Sequence, residues 1–247
     1  MTGTLYIIIP AYNEERALAR LLPDIKRRLD EAGYASRFLI VNDGSSDQTS
    51  RLLASFTEDI PLEELRHAAN RGYGASLRTG FLHVLSHAKP GDVVVTLDGD
   101  TTHDPLYIPR MLAQLEKGYD VITASYTAAG GKTSGVPLGR MLSSRCVNLL
   151  FKLAAPLQGV STYTNGFRAY RLEILQRVHA RYSENLITDF GFPGGTELFL
   201  KAGSAGARCG EIPFHLHYEN RGLESKIRFF QTIARYLRLL SLASRLQ

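Results

Sequence analysis

Residues 93–105 read V-V-V-T-L-D-G-D-T-T-H-D-P. The apolar run rich in β-branched residues predicts a buried strand, and it empties at its C-terminal end into two carboxylates one residue apart, Asp98 and Asp100. Open α/β sheets place their chemistry at that end of a strand. Two acidic side chains held this closely repel each other. A hard divalent cation such as Mg²⁺ or Mn²⁺, set against a phosphate-bearing substrate, relieves that repulsion. A blander reading stays open beside it: His103-Asp104-Pro105 has the form of a helix start with Pro in its first turn, and the acidic loop would then cap that helix.

The flanking sequence alternates between strand and helix patterns. Residues 5–9 predict a first strand ending at Pro10, and Asn13-Glu14-Glu15 opens a helix to about Gly33. Residues 38–41 predict a second strand, followed by Asn42-Asp43-Gly44-Ser45-Ser46-Asp47. A short strand over 62–67 leads to Asn70-Arg71-Gly72-Tyr73-Gly74 and a helix to about His87. After the Asp98 strand come a helix over 106–117 and a strand over 121–124. This order predicts an α/β fold with a mainly parallel central sheet flanked by helices. Because each polar cluster follows a strand, the first 104 residues build one shared crevice. Gly130-Gly131, a helix over 138–155, a turn over 164–166 and a strand over 212–216 shape a second face. No linker separates domains, so residues 1–222 read as one catalytic unit and 223–247 as a basic amphipathic helix, either part of that unit or lying on a membrane surface.

The 247 residues suffice for one large α/β domain with a full core. Cys146 and Cys209 have neither metal-site spacing nor disulfide density, which fits a reducing compartment. No signal-peptide pattern and no apolar run of roughly 18 residues is present, so a cytoplasmic location, with peripheral attachment to the inner face of a membrane, is expected. The net charge of +5 matters mostly through its placement. Lys226, Arg228, Arg235, Arg238 and Arg245 fall in the last 22 residues, with no acidic residue among them. Phe230, Ile233, Leu237 and Leu240 recur there at helical spacing. That pattern suits an anionic membrane or partner, or an ordinary terminal helix packed on its own domain. No motif that reads nucleic acid accompanies the charge.

Three crevice clusters suggest a nucleotide. Pro10-Ala11-Tyr12-Asn13-Glu14 lacks the glycine fingerprint of a dinucleotide site and offers an aromatic face with acceptors for a base and ribose. Asp43 and its loop add acceptors for ring N–H groups or hydroxyls. Asn70 and Gly72, at a strand-to-helix turn, permit close backbone approach to a ligand. Each also has a local structural reading: Asn13 and Ser46 as helix caps, the glycines as turn formers.

Taken in order, these motifs resemble the family 2 glycosyltransferases of GT-A (Rossmann-like) fold, and among them the polyprenyl- or dolichyl-phosphate mannose and glucose synthases. The resemblance spans nearly the whole chain. It rests on Ile9 to Glu15, Val41 to Asp47, Asn70 to Gly74, Leu97 to Asp100 with His103 and Pro105, Asn165-Gly166-Phe167-Arg168-Ala169-Tyr170, and Glu224-Ser225-Lys226. It implies inverting transfer of a hexose from a nucleotide-diphosphate sugar, of GDP-mannose or UDP-glucose type, to a polyprenyl phosphate. Asp98 and Asp100 would hold Mg²⁺ or Mn²⁺ against the donor diphosphate, with Thr102 where relatives add a ligand. Gly99 with Pro10, Tyr12, Asn13, Glu14, Asp43, Asn70 and Gly72 would complete the donor site. Arg140, Ser144, Arg168 and Lys226 match positions that bind the acceptor phosphate, with Arg168 counted among the catalytic residues. A structural ion pair for Arg168 and a solvated charge for Lys226 are the alternatives. A phosphate monoester is already ionised at neutral pH and needs no strong base. An alcohol acceptor would need one, and Asp189 or Glu197 would supply it.

Four departures fall mostly on the acceptor side. Asn42 precedes Asp43 where paired aspartates are usual, Ser125 stands in place of an arginine, Ser161-Thr162 in place of an aspartate, and Asn220 to Leu223 break the usual spacing. Asn42 and Ser125 motivate a further reading, a degenerate, non-catalytic glycosyltransferase acting as a membrane-bound scaffold or a sugar-nucleotide sensor. Asp98-Gly99-Asp100-Thr101-Thr102 also resembles the nucleophile loop of haloacid-dehalogenase-type phosphatases. That loop normally follows the first strand of its fold, whereas here it comes late and no second acidic pair follows.

Overall fold

The structure, a computed structural model, describes residues 3–220 and 229–243. The elements in chain order are β1 (Leu5–Ala11), α1 (Glu15–Glu31), β2 (Ser36–Asn42), α2 (Thr49–Phe56), β3 (Leu62–Arg66), α3 (Tyr73–His87), β4 (Val93–Thr96), α4 (Ile108–Glu116) and β5 (Val121–Ser125). Then follow β6 (Lys132–Ser134), α5 (Leu138–Ala154), β7 (Arg168–Arg171), α6 (Leu172–Tyr182), α7 (Gly194–Ser204), β8 (Cys209–Pro213), β9 (His215–His217) and α8 (Phe229–Ala243).

Seven strands form the main sheet in the order β3-β2-β1-β4-β7-β5-β8. Its pairs are parallel except at β7, which runs antiparallel to both β4 and β5. The alternating strand pattern puts two cores on the two faces. On β1, Tyr6 and Ile8 join one apolar cluster, while Leu5, Ile7, Ile9 and Ala11 join the other, which also takes Leu18, Leu22 and Ile25 of α1. Strands buried on both sides are near-continuously apolar, which is why β1, β2 and β4 were legible from sequence. Pro10 lies inside β1 and is not its terminus: it pairs with Val41 of β2, and the ladder to β4 has already ended at Ile8–Thr96. On that side its missing N–H costs no ladder bond.

The expected strand over 212–216 is split. β8 joins the main sheet, Phe214 turns into the core, and β9 pairs with β6 in a separate two-stranded ribbon. α8 packs against α5, but on a different stripe from the one the sequence suggested. Tyr236, Leu239 and Ala243 are buried with Leu240 beside them, whereas Leu237 is 52% exposed. The stripe therefore runs at i, i+3, i+7, with an aromatic residue as its anchor. No helix among the described residues is long and apolar enough to cross a membrane.

Candidate active site

β1, β2, β3 and β4 all end on one side of the sheet, and the loops that leave them meet there. The loops after β1 and β2 are tied to each other. Asn13, at φ +53°, accepts from the Ser46 amide at 2.8 Å through its side-chain oxygen, and its own amide donates to Ser45 Oγ at 2.9 Å. Asn tolerates this left-handed backbone better than most residues. Asp43 is buried and committed: its carboxylate takes His67 Nδ1 at 2.7 Å and the amides of Arg71 and Gly72 at 2.8 Å each. Asp43 thus clamps the loop before α3. Gly72 has φ +101°, and a Cβ there would lie 2.2 Å from the Phe190 carbonyl oxygen, so only glycine closes this turn.

The carboxylate pair stands just past β4. Asp104 performs the capping that the sequence left open, accepting from the Leu106 amide at 2.9 Å with Pro105 behind it. Asp98 and Asp100 are thereby released from that task. Asp98 accepts from the Tyr73 hydroxyl at 2.9 Å, and its amide donates to His103 Nδ1 at 3.0 Å. That bond fixes His103 as the Nε2–H tautomer, buried and stacked on Phe167. Burial, reinforced by the charge of Asp98, pushes the Tyr73 hydroxyl well above its usual pKa, so it remains a donor. Asp100 accepts from the Thr102 hydroxyl at 2.6 Å. Thr102, read from sequence as a ligand, is buried and orients Asp100. Between them Thr101 sits at φ +61°, a strained conformation for a β-branched residue and one that clusters at functional sites. Gly166 makes the Tyr73–Asp98 contact sterically possible, since a Cβ there would meet the Tyr73 hydroxyl at 2.2 Å and Asp98 Oδ1 at 3.2 Å.

These groups line one cavity of about 460 Å³. Its wall includes Pro10, Tyr12, Glu14, Asp43, Asn70 and Gly72, together with Asp98, Gly99, Asp100 and Thr102. The same wall takes in Arg140 and Ser144 of α5, Arg168, and residues of α8. Arg140 donates to the Tyr218 hydroxyl at 2.8 Å and lies over that ring, and Ser144 is 2.6 Å from the Tyr126 hydroxyl. Asn13, Asp189 and Glu197 stand behind the wall. Lys226 and the rest of Glu224-Ser225-Lys226 lie outside the described residues, as do Arg228 and Arg245.

Three assignments change character. Arg168 is buried, donates to the carbonyls of Gly195 and Tyr163, and lies 4.5 Å from the centre of the Phe199 ring. It fastens β7 to α7 through backbone oxygens, and among the described residues it has no carboxylate partner. Glu197 forms a buried ion pair with Lys201 and accepts from Thr188 and Asp189 amides at 2.8 Å each. Asp189 accepts from Arg235 of α8 at 3.0 Å and from the Gly191 amide at 2.7 Å. Arg235, expected to face a membrane or partner, is therefore tied to the domain.

The departures on the acceptor side also prove to be connected. Ser125 and Thr162, both fully buried, have their hydroxyl oxygens 2.8 Å apart, and the Ser161 hydroxyl donates to Glu211 at 2.8 Å while lying 2.7 Å from the Thr127 hydroxyl, from which it accepts. Ser125, Thr127, Ser161 and Thr162 thus form one hydroxyl network that is anchored on the Glu211 carboxylate.

The donor set suits a hard cation. Mg²⁺ and Mn²⁺ use one or two carboxylates and draw their other oxygens from water and substrate phosphate. Among the described residues no group of three or more His, Cys, Asp and Glu could hold a metal alone. A cation at Asp98 and Asp100 would thus be completed by a phosphate ligand.

Comparison with known proteins agrees with this geometry. Residues 6–178 match the family described as "Glycosyl transferase family 2", and the chain belongs to that family. That membership displaces the phosphatase reading. Among curated relatives, the undecaprenyl-phosphate 4-deoxy-4-formamido-L-arabinose transferases of Salmonella paratyphi B (strain ATCC BAA-1250 / SPB7) and Salmonella newport (strain SL254) are each 29% identical over 232 residues. The match covers 92% of this chain and 63% of theirs, so the chain spans less than two thirds of those relatives. Among solved structures, glucosyl-3-phosphoglycerate synthase from Mycobacterium tuberculosis, in complex with Mn²⁺, UDP-glucose and phosphoglyceric acid, superposes with a TM-score of 0.69 at 17% identity. That superposition covers 98% of this chain and 80% of the other. The same enzyme with Mg²⁺ and UDP gives 0.66 at 17% identity over 98% and 79%. At that identity the likeness establishes the fold, which is GT-A.

Proposed function

We propose that this chain is the catalytic unit of an inverting, metal-dependent transferase that moves a hexose from a nucleotide-diphosphate sugar to a polyprenyl phosphate. One observation carries the reading: a single cavity is lined both by the Asp98–Asp100 pair with the Tyr12, Glu14 and Asp43 cluster and by Arg140 and Ser144. The Salmonella relatives, undecaprenyl-phosphate sugar transferases by name, support the acceptor class.

In this reading Tyr12 stacks on the base and Glu14 accepts from its ring or from ribose, while Asp43, which already takes three hydrogen bonds, keeps one acceptor position for the same purpose. Asp98 and Asp100 hold the divalent cation, which would neutralise charge on the departing diphosphate. Tyr73 and Thr102 keep the two carboxylates in place. Arg140 and Ser144 orient the acceptor phosphate, whose oxygen is already ionised at neutral pH. Arg168 acts at one remove, by holding the wall between β7 and α7. Asp189 and Glu197 are both engaged in ion pairs, which favours an acceptor that needs no base over an alcohol.

The test is transfer by the purified 247-residue chain from UDP- and GDP-sugars to a short-chain polyprenyl phosphate, followed by mass spectrometry with and without Mn²⁺ or Mg²⁺. A metal-dependent glycosyl phospholipid is expected. Transfer to an alcohol in its place would move the acceptor assignment to the second class, and donor binding without any turnover would support the scaffold reading.

A further inference from the structure

We infer that Asn148 and Tyr126 are positioning residues: they set the direction of a chain of hydroxyl groups so that it ends in a hydrogen-bond donor facing the acceptor phosphate. The inference rests on the lipid-phosphate reading of the cavity.

Three parts of the fold supply the chain. Tyr126 follows β5, Ser144 and Asn148 stand one turn apart on α5, and Thr164 lies in the turn before β7. Asn148 is buried, and its side-chain oxygen accepts from the amides of Tyr163 at 2.8 Å and Thr164 at 3.1 Å. Backbone amides can only donate, so the orientation of the Asn148 side chain is fixed and its nitrogen faces the Tyr126 hydroxyl as a donor, at 3.2 Å. The Tyr126 oxygen therefore accepts from Asn148, and its own proton goes to Ser144 Oγ, 2.6 Å away. A phenol is a stronger donor than an aliphatic hydroxyl, and the alternative acceptor, Thr164 Oγ1 at 3.4 Å, is poorer.

One proton is then left over. Ser144 and Thr164 lie 3.1 Å apart and bring two hydroxyl protons to the one contact between them. Both side chains line the cavity, so the spare proton is presented there. It suits a ligand that brings acceptors and no protons of its own, as an ionised phosphate monoester does. Reversing the first link would remove it. With a carboxylate at position 148, Tyr126 would donate to that carboxylate, Ser144 to Tyr126 and Thr164 to Ser144, and only lone pairs would face the ligand.

Binding of geranyl phosphate and of geraniol to the full 247-residue chain should be measured by calorimetry without nucleotide or metal, and binding of UDP with Mn²⁺ beside it. Asn148→Asp should weaken geranyl phosphate at least about tenfold, the loss of one hydrogen bond to a charged group, and leave UDP with Mn²⁺ unchanged. Tyr126→Phe should cost less, because Ser144 and Thr164 still hold a proton to spare. The double variant Asn148→Asp, Tyr126→Phe should recover to the level of Tyr126→Phe, since the reversed link is gone; repulsion between the new carboxylate and the phosphate would give no recovery. If Asn148→Asp does not fold, Ser144→Ala with Thr164→Val removes both possible donors and should show the same loss. Wild-type protein that does not prefer geranyl phosphate to geraniol would reject the acceptor reading, and this inference with it. Given that preference, unchanged binding by Asn148→Asp, a double variant as weak as Asn148→Asp, or unchanged binding by Ser144→Ala with Thr164→Val overturns the inference alone. A loss confined to UDP with Mn²⁺ would assign the chain to the donor diphosphate and overturn it as well.

Discussion

Replacing Gly166 by alanine tests whether a single hydrogen bond positions the metal carboxylate. The new methyl would stand 2.2 Å from the Tyr73 hydroxyl and 3.2 Å from Asp98 Oδ1, so the hydroxyl must leave its 2.9 Å bond to Asp98. Gly166 is not among the residues of positive φ, so alanine brings no backbone penalty and the effect is confined to this contact. A hydrogen bond to a charged group contributes about 1.5–3 kcal/mol, which predicts a loss of roughly 10- to 150-fold in Mn²⁺-dependent nucleotide affinity. Tyr73→Phe should produce a similar loss by deleting the hydroxyl while keeping the stack on Phe192. In the phenylalanine background the nearest remaining atoms of residue 73 lie at ordinary contact, 3.4 Å from the added methyl. Gly166→Ala should therefore cost little more there, and the double variant should resemble Tyr73→Phe alone. Calorimetric titration of UDP with Mn²⁺ across the four proteins measures this. Additive losses, or an undiminished Gly166→Ala, would refute the positioning role of Tyr73.

Asp100→Asn, which keeps shape and removes charge, should abolish metal-dependent nucleotide binding while leaving the melting temperature within a few degrees; retained Mn²⁺ dependence in the same titration would defeat the metal assignment. Glu197→Ala leaves Lys201 charged and buried, and should destabilise the fold by about 3–5 kcal/mol in urea unfolding, with the Thr188–Asp189 segment losing its anchor. Burial pushes the Cys209 thiol up to about 12, against the lowering pull of Arg168. A raised thiol pKa means the protonated form dominates below it, so at pH 8 only about one molecule in ten thousand carries the thiolate. A thiol reagent at that pH should then label Cys146 quickly, and Cys209 only after unfolding.

Up to Ser125, β1, β2, β4 and β5 were readable from apolar runs and α1, α3 and α4 from helical patterns bounded by turn residues, whereas α2, only eight residues long, went unread. β7 was not, since Arg168-Ala169-Tyr170-Arg171 is short, carries two arginines and is read as strand only through its antiparallel neighbours. The phase of α8 was misjudged because Tyr236 was not counted as apolar, although it is the residue that docks the helix. The two aspartates stand out as a motif, but what holds them does not. Tyr73 belongs to a turn 25 residues upstream of Asp98 and Gly166 to one far downstream, and only the sheet order makes them neighbours. His67, which grips Asp43, lay at the end of the third strand with nothing in its surroundings to mark it. Ser125 and Thr162 look unrelated in sequence, and their hydroxyls are in contact in space.

The position of β7 in the sheet also governs how the protein must be made. β5 and β8 reach the rest of the sheet only through this four-residue strand, and β4 waits for it on its outer edge. A nascent chain that has not yet delivered residues 166–171 therefore holds Val93, Val94 and Val95 on an open, sticky edge and has no Gly166 beside Asp98. The carboxylate loop can be translated and still not be a site. Synthesis stalled before this point should yield an aggregation-prone fragment that depends on chaperones, and dividing the gene there should give two inactive halves.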